Sequence, residues 1–357
     1  MNDDARWMRR CVELARNAEG RTAPNPMVGA VIVHESDGVE TLLGEGWHSK
    51  AGEPHAESEA LLNVVGDTTG ATLYVSLEPC CHHGRTPPCT DSILQAGISR
   101  VVVGMVDPNP IVQGKGIALL RNAGIEVVVG IEESACRELN AGYIKAIFQG
   151  RPRVWLKSAA TLDGRIADHK GVSQWITGEE ARLHGHRMRD RVDAIMIGSG
   201  TLHSDDPSLT TRFDGGRDAI PVVIDTNLTI STSAKLLNSS RRALIYCAED
   251  APPREIEADV VRVSRLGSGL DLTAIMRDLA TREVHNLMVE GGGLLNRSLF
   301  EACLVDRLLM FVAPKVLVGG AGFIGGDPLD LEEGFEFTLL SATRLGVDVL
   351  LDYKVER

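Results

Sequence analysis

The sequence predicts a two-domain α/β protein, on three observations. At 357 residues the chain is longer than one hydrophobic core ordinarily serves. Short β-branched runs alternate with stretches of helical period, the pattern of sheets covered by helices. The alternation breaks at Gln149-Gly150-Arg151-Pro152 and then restarts. The expected division is a domain at 1–148, a linker at 149–152 and a second domain at 153–357.

Residues 4–19 place Met8, Cys11, Val12 and Ala15 at helical spacing, with Asp3 or Asp4 as the cap. Pro24 and Pro26 stop any helix and hold an irregular loop. Residues 30–34 and 42–47 follow as strands, the first continuous enough to be central. Residues 55–65 return to helical period, which puts His55 in the first turn. Strands at 72–76, 100–106 and 125–129 then alternate with helices at 89–96, 116–122 and 132–148. That order describes a three-layer α/β domain of about 145 residues.

The second half restarts with a strand at 154–159 and a helix at 178–189. Strands are expected at 194–197, 222–224, 243–246, 260–263, 286–289 and 308–312. Helices fall at 271–279 and 294–302, and two C-terminal strands at 335–340 and 347–353. Composition restricts the function. Hydrophobic residues make up 43% and charged residues 24%, as in an ordinary globular protein. The net charge of −12 disfavours nonspecific nucleic-acid or anionic-membrane binding. No apolar run is long enough to span a bilayer, and the first residues lack the apolar stretch of a secretory signal. Seven cysteines, irregularly spaced, argue against a disulfide framework and for a reducing cytoplasm.

The chemistry gathers at His55-Ala56-Glu57, Pro79-Cys80 and Cys89. One imidazole and two thiolates suit a tetrahedral zinc site with one position left open. Glu57, two residues after the histidine, does not share its helical face and is free to move protons instead. H-x-E followed by P-C-x-x-C is the signature of zinc nucleobase deaminases, but here eight residues separate the cysteines. Two competing readings stand beside this one. Cys81, His82 or His83 could close a structural zinc site, or the cysteines could be unrelated buried thiols.

A second constellation lies in the later half. Val289-Glu290-Gly291-Gly292-Gly293 ends a strand and opens a helix, where glycines let backbone N–H groups approach a phosphate. It is not a dinucleotide fingerprint, because Asn296 stands where its last glycine would be, and a tight turn needs glycine anyway. Gly198-Ser199-Gly200-Thr201 offers another polar loop, and Asp205 and Asp206 present carboxylates on a loop. Arg187, Arg189, Arg191 and Arg212 are candidates for a phosphate, or for a solvated helix face. Trp175 could be core or a stacking surface. Asp225 ends a strand where an acid would favour NAD in a Rossmann domain, while Thr226, Asn227, Arg241 and Arg242 nearby could accept a 2′-phosphate.

Taken together, the motifs resemble the bifunctional riboflavin-biosynthesis deaminase–reductase family along essentially the whole chain. They are A-P-N-P-M-V-G at 23–29, G-E-G-W-H at 44–48, H-A-E at 55–57, and E-P-C-C-H-H-G-R-T-P-P-C at 78–89. D-P-N-P at 107–110, G-K-G-I at 114–117, L-D-G-R-I-A at 162–167 and S-Q-W-I-T at 173–177 follow. D-D-P-S-L-T at 205–210 and V-E-G-G at 289–292 complete the set. The long spacing between the cysteines belongs to that family.

The resemblance implies a cytidine-deaminase-like domain followed by a dihydrofolate-reductase-like one. It implies hydrolytic deamination of 2,5-diamino-6-ribosylamino-4(3H)-pyrimidinone 5′-phosphate, then NADPH-dependent reduction of the ribosyl to a ribityl chain. His55, Cys80 and Cys89 are then zinc ligands, Glu57 the proton shuttle, and Asn25 and His48 the lining of the first pocket. Ala159, Trp175, Thr201, Asp205, Thr226, Gly292 and Gly293 match cofactor contacts. Ser173, Arg189, Leu209, Arg212 and Glu290 match substrate contacts. The expected partners are a small phosphorylated pyrimidine and further copies of the chain, with neither nucleic acid nor membrane.

Overall fold

A computed structural model describes residues 3–82 and 87–356. The chain divides into two compact units, Met1–Gln149 and Gly150–Arg357.

In the first unit five strands form one sheet: β1 (Gly29–Ser36), β2 (Val39–Trp47), β3 (Thr72–Leu77), β4 (Arg100–Met105) and β5 (Glu126–Val129). Their order is β2-β1-β3-β4-β5, with β1 antiparallel to both neighbours and β3, β4 and β5 parallel. The central strands are apolar on both faces, as buried strands must be. Ala30, Ile32, Leu73, Val75, Val101 and Val103 pack with α2 (Ala56–Leu62), α3 (Cys89–Gln95) and α4 (Lys115–Asn122). The alternating residues Val31, Val33, Tyr74 and Val102 pack with α1 (Asp4–Arg16), α5 (Glu133–Leu139) and α6 (Ala141–Gln149). The result is three layers.

Several expectations need correction. The helix expected over 132–148 is two, separated at Asn140. Helix α1 stops at Arg16, and no aspartate side chain caps it. Asp3 makes no cap bond; Asp4 forms a bidentate pair with Arg100 at 2.9 and 2.8 Å. His55 precedes α2 as its N-cap with extended backbone, instead of lying in its first turn. Gly46 explains how α2 lies against β2, since a Cβ there would sit 2.5 Å from the Ala60 amide nitrogen.

The second unit is built on nine strands. These are β6 (Arg153–Thr161), β7 (Ala194–Gly198), β8 (Ile220–Ile224), β9 (Leu244–Ala248) and β10 (Asp259–Val263), then β13 (Asn286–Val289), β14 (Arg307–Ala313), β15 (Phe337–Leu345) and β16 (Asp348–Val355). A small separate hairpin, β11 (Arg265–Leu266) with β12 (Gly269–Leu270), lies between β10 and β13 in sequence. The large sheet runs β10-β9-β8-β7-β13-β6-β14-β16-β15, parallel from β10 to β14 and antiparallel for the last two. Helices α7 (Glu179–Arg191), α8 (Ser199–Asp205), α9 (Leu272–Thr281) and α10 (Gly293–Glu301) contribute apolar residues to its core. Helix α8 replaces the loop expected after β7, so Asp205 closes a helix.

Candidate functional site

Three elements bring the first site together: the N-cap of α2, the segment leaving β3, and the first residue of α3. His55 Nδ1 lies 3.2 Å from Cys89 Sγ and 3.5 Å from Cys80 Sγ. All three donor atoms fall within 4.8 Å of one another. Among the described residues this is the one such cluster, and neither Cys81 nor His82 joins it. His83 lies outside the described residues. The expected ligand set therefore converges on a single point, and its nitrogen-and-sulfur donors fit zinc.

The electrostatics agree. The Cys89 thiol, with help from the His55 imidazole, holds the Cys80 thiol down at about 4. Cys89 is raised in return, because its proton is shared toward Cys80. The pair thus keeps one proton that a metal would displace. The Cys89 backbone N–H also donates to Cys80 Sγ at 3.4 Å, an anchor at the start of α3.

Glu57 follows on α2 and is only 4% exposed. Burial raises its pKa, and its side chain is in hydrogen-bond contact with Cys89. Asn25 and His48 meet beside this cluster. The Asn25 amide nitrogen is 3.0 Å from His48 Nε2, and His48 Nδ1 is 3.0 Å from the Pro54 carbonyl. With the amide donating to Nε2, Nδ1 carries the proton and His48 is a neutral ring. Burial lowers the His48 pKa in the same sense. The His48 and His55 rings stand edge to face, 5.4 Å apart. Asn140, which sequence reasoning missed, holds the Asn25 loop by accepting from the Met27 N–H at 2.8 Å and donating to the Met27 carbonyl at 2.9 Å. The only signal for it was an asparagine, a poor helix former, inside a continuing helical period.

In the second unit Arg189 and Glu290 form a bidentate pair at 3.0 and 2.8 Å, and Arg189 also donates to the Thr210 carbonyl. The Arg189 guanidinium, aided by the nearby Lys157 ammonium, holds the buried Glu290 carboxylate down at about 2 against the cost of burial. Lys157 went unnoticed in the sequence, although a lysine inside the apolar strand β6 was a signal. Ser173 Oγ donates to the Asp205 carboxylate at 3.2 Å. Arg212 is exposed and bonds Ser208 Oγ at 3.2 Å. Leu209 is buried with φ of +55°, a strained backbone of the kind found at binding loops.

The remaining cofactor candidates lie on the strands and on the segments that follow them. Ala159 lies on β6 beside β14, Thr201 on α8 after β7, and Thr226 after β8. Trp175 is 58% exposed, which excludes a core role, with the Arg182 guanidinium 4.8 Å from its ring centre. Gly293 has a reason of its own: a Cβ there would stand 2.7 Å from the Gly325 nitrogen and 2.8 Å from the Gly322 carbonyl oxygen. Gly292 has Thr201 as its near neighbour across the turn. Asp225 is consumed locally, accepting from the Ile230 N–H at 2.7 Å and the Thr229 hydroxyl at 3.0 Å. It is a turn anchor, which removes the argument for NAD.

Known proteins agree with this picture. The family model for the cytidine and deoxycytidylate deaminase zinc-binding region matches residues 1–105, and that for the RibD C-terminal domain matches residues 152–351. Riboflavin biosynthesis protein RibD of Aquifex aeolicus is 41% identical over 98% of both chains, and that of Escherichia coli 38% identical over 98% of both. The crystal structure of a diaminohydroxyphosphoribosylaminopyrimidine deaminase/5-amino-6-(5-phosphoribosylamino)uracil reductase from Thermotoga maritima superimposes with a TM-score of 0.90. It is 34% identical, with 99% of each chain covered. The cytidine-deaminase-like and dihydrofolate-reductase-like folds expected from the motifs are thus present. The chain belongs to the bifunctional riboflavin-biosynthesis deaminase–reductase family, with a zinc-dependent deaminase domain and an NADPH-dependent reductase domain.

Proposed function

We propose that His55, Cys80 and Cys89 hold the zinc, that Glu57 moves the protons of deamination, and that Asn25 and His48 orient the pyrimidine. The observation that carries this is the convergence of the three donor atoms within 4.8 Å, with a buried carboxylate beside them. Zinc, when bound, acts as a Lewis acid that makes water a competent nucleophile near neutral pH. Glu57 takes a proton from the attacking water as its oxygen bonds to the ring carbon bearing the 2-amino group. It returns that proton to the departing amine, so one carboxylate serves as base and then as acid. Its raised pKa suits both duties, and its burial excludes competing water. Asn25 spends its amide N–H on His48 and keeps its carbonyl oxygen to accept from the substrate.

In the second domain Ser173, Arg189, Leu209, Arg212 and Glu290 take the phosphorylated ribosylamino substrate. Ala159, Trp175, Thr201, Asp205, Thr226, Gly292 and Gly293 take NADPH. Arg212 meets the phosphate as an exposed guanidinium, while Arg189 fixes the Glu290 carboxylate. Hydride delivery to C1′ then depends mainly on alignment. The functional division at 1–148, 149–152 and 153–357 is supported by the structural break after Gln149. The enzyme works as a homo-oligomer in the reducing cytoplasm, without nucleic acid or membrane. Seven free cysteines support the reducing compartment, and the acidic charge disfavours nucleic acid and anionic membrane; among the described residues no helix is long and apolar enough to cross a membrane.

Anomalous scattering at the zinc edge tests the metal assignment. About one zinc per chain is expected on His55, Cys80 and Cys89. A fourth ligand from Cys81 or His82 would make the site structural and contradict the mechanism.

A further inference from the structure

Glu78 is a carboxylate without a role in the chemistry above, yet it is among the most heavily bonded side chains in the first unit. It is 3% exposed. Its Oε2 accepts from the Asp107 N–H at 3.2 Å and the Gly114 N–H at 2.9 Å, and its Oε1 from Gly116 at 3.0 Å and Ile117 at 3.2 Å. A buried carboxylate is costly unless its oxygens are satisfied, and four backbone donors satisfy this one. Three of the donors come from the start of α4, whose first N–H groups otherwise lack partners.

What this anchor fixes is the residue next along the chain. Strand β3 ends at Leu77; Glu78 still donates its backbone N–H to the Met105 carbonyl of β4 at 3.0 Å, and Pro79 and Cys80 then lead away from the strand. The helix start is pressed against Pro79: a Cβ on Gly116 would stand 2.1 Å from the Pro79 carbonyl oxygen. Pro79 is therefore gripped by the Glu78 bonds on one side and by the bare Gly116 backbone on the other. Beyond it, Cys80 keeps one further backbone tie, the Thr90 N–H to its carbonyl at 3.2 Å, and the Cys89 N–H on its sulfur.

We infer that Glu78 and Gly116 are positioning residues that set the Cys80 sulfur for the metal, so that zinc affinity depends on the first turn of α4. This rests on the reading of His55, Cys80 and Cys89 as the zinc ligands. Groups that orient metal ligands typically change metal affinity tenfold to a hundredfold when lost. Glu78→Gln turns one accepting oxygen into a donor facing backbone N–H groups. Gly116→Ala keeps the carboxylate's charge and acceptors and pushes mainly on Pro79, its Cβ standing 2.1 Å from the Pro79 carbonyl oxygen and 3.3 Å from Glu78 Oε1.

The test is zinc affinity of the full chain, by competition with a chromophoric chelator, alongside the thermal midpoint of the metal-free protein. Both variants should bind zinc roughly tenfold to a hundredfold more weakly. Deaminase activity lost at stoichiometric zinc should return at excess zinc, with reductase activity unchanged. If Glu78→Gln does not fold, Gly116→Ala decides alone. Wild-type zinc affinity in Gly116→Ala, whatever its thermal midpoint, would reduce the contact to a fold anchor and overturn the inference. A wild-type chain that takes up no zinc would instead contradict the ligand assignment itself.

Discussion

In the first unit His55, Cys80 and Cys89 bring their donor atoms within 4.8 Å of one another. In the second, Arg189 and Glu290 satisfy each other across 101 positions of sequence before any ligand arrives. One arrangement gathers soft donors of the kind that hold a metal; the other pairs a buried carboxylate with a guanidinium. The difference lies in what fixes each cluster: converging donor atoms in the first unit, and an ion pair in the second. The deaminase domain holds its cluster of donors with backbone anchors, the Cys89 N–H on the Cys80 sulfur among them. The reductase domain keeps a buried, paired carboxylate and guanidinium, and leaves Arg212 exposed with Ser208 as its bonded neighbour.

The comparison breaks first, and by the largest factor, at Glu57. Glu57→Gln keeps the side-chain shape and removes the group that accepts a proton. Deamination should fall by about 10²–10⁴, with zinc content unchanged. Reduction of the already deaminated substrate should continue near the wild-type rate. Unimpaired deamination would remove Glu57 from the chemistry, and loss of both activities would show that the domains do not function separately.

Arg189→Ala probes the closed pair. It leaves a buried carboxylate unpaired, so the second unit should lose roughly 3–5 kcal/mol, measured by urea unfolding. A stable variant defective only in substrate KM would mean that Arg189 serves the phosphate directly. This pair also marks what the sequence could not tell. The zinc ligands were legible because metal chemistry demands those residue types, and the buried strands were legible from their β-branched runs. Nothing local to Arg189 or Glu290 indicates that they meet. Gly198, Ser199 and Gly200 are poor helix formers and hide helix α8, so the sequence reads as a loop through Asp205. The break at Asn140 was hidden for the opposite reason, because helical period continues on both sides of it. Asp4 looked like a cap and turned out to be the partner of Arg100, a choice made by a strand 96 residues away.

A smaller effect follows from the sign of the Glu290 shift. Its pKa falls from 4.5 to about 2 on folding, so the pair's stabilisation is full above about pH 5 and is lost as pH falls through 2. The amount is about 3 kcal/mol. Glu290→Gln lacks the titrating group. Its stability deficit against wild type should therefore shrink between pH 6 and pH 2.5; a constant deficit would mean that the Glu290 pKa does not change on folding, and a deficit that widens would mean the carboxyl is neutral in the fold. Smaller still, Arg212→Ala should raise the reductase KM by about tenfold to a hundredfold, the worth of one charge-assisted bond. Weakened NADPH binding with unchanged substrate KM would move Arg212 to the cofactor.

The separation of the two chemistries is tested most directly by removing the metal. Protein stripped of zinc by a chelator should lose deamination completely and regain it when zinc is returned. Throughout, it should oxidise NADPH at an unchanged rate on the deaminated substrate. Deamination that persists in verified metal-free protein, or reduction that disappears with the zinc, would contradict the account.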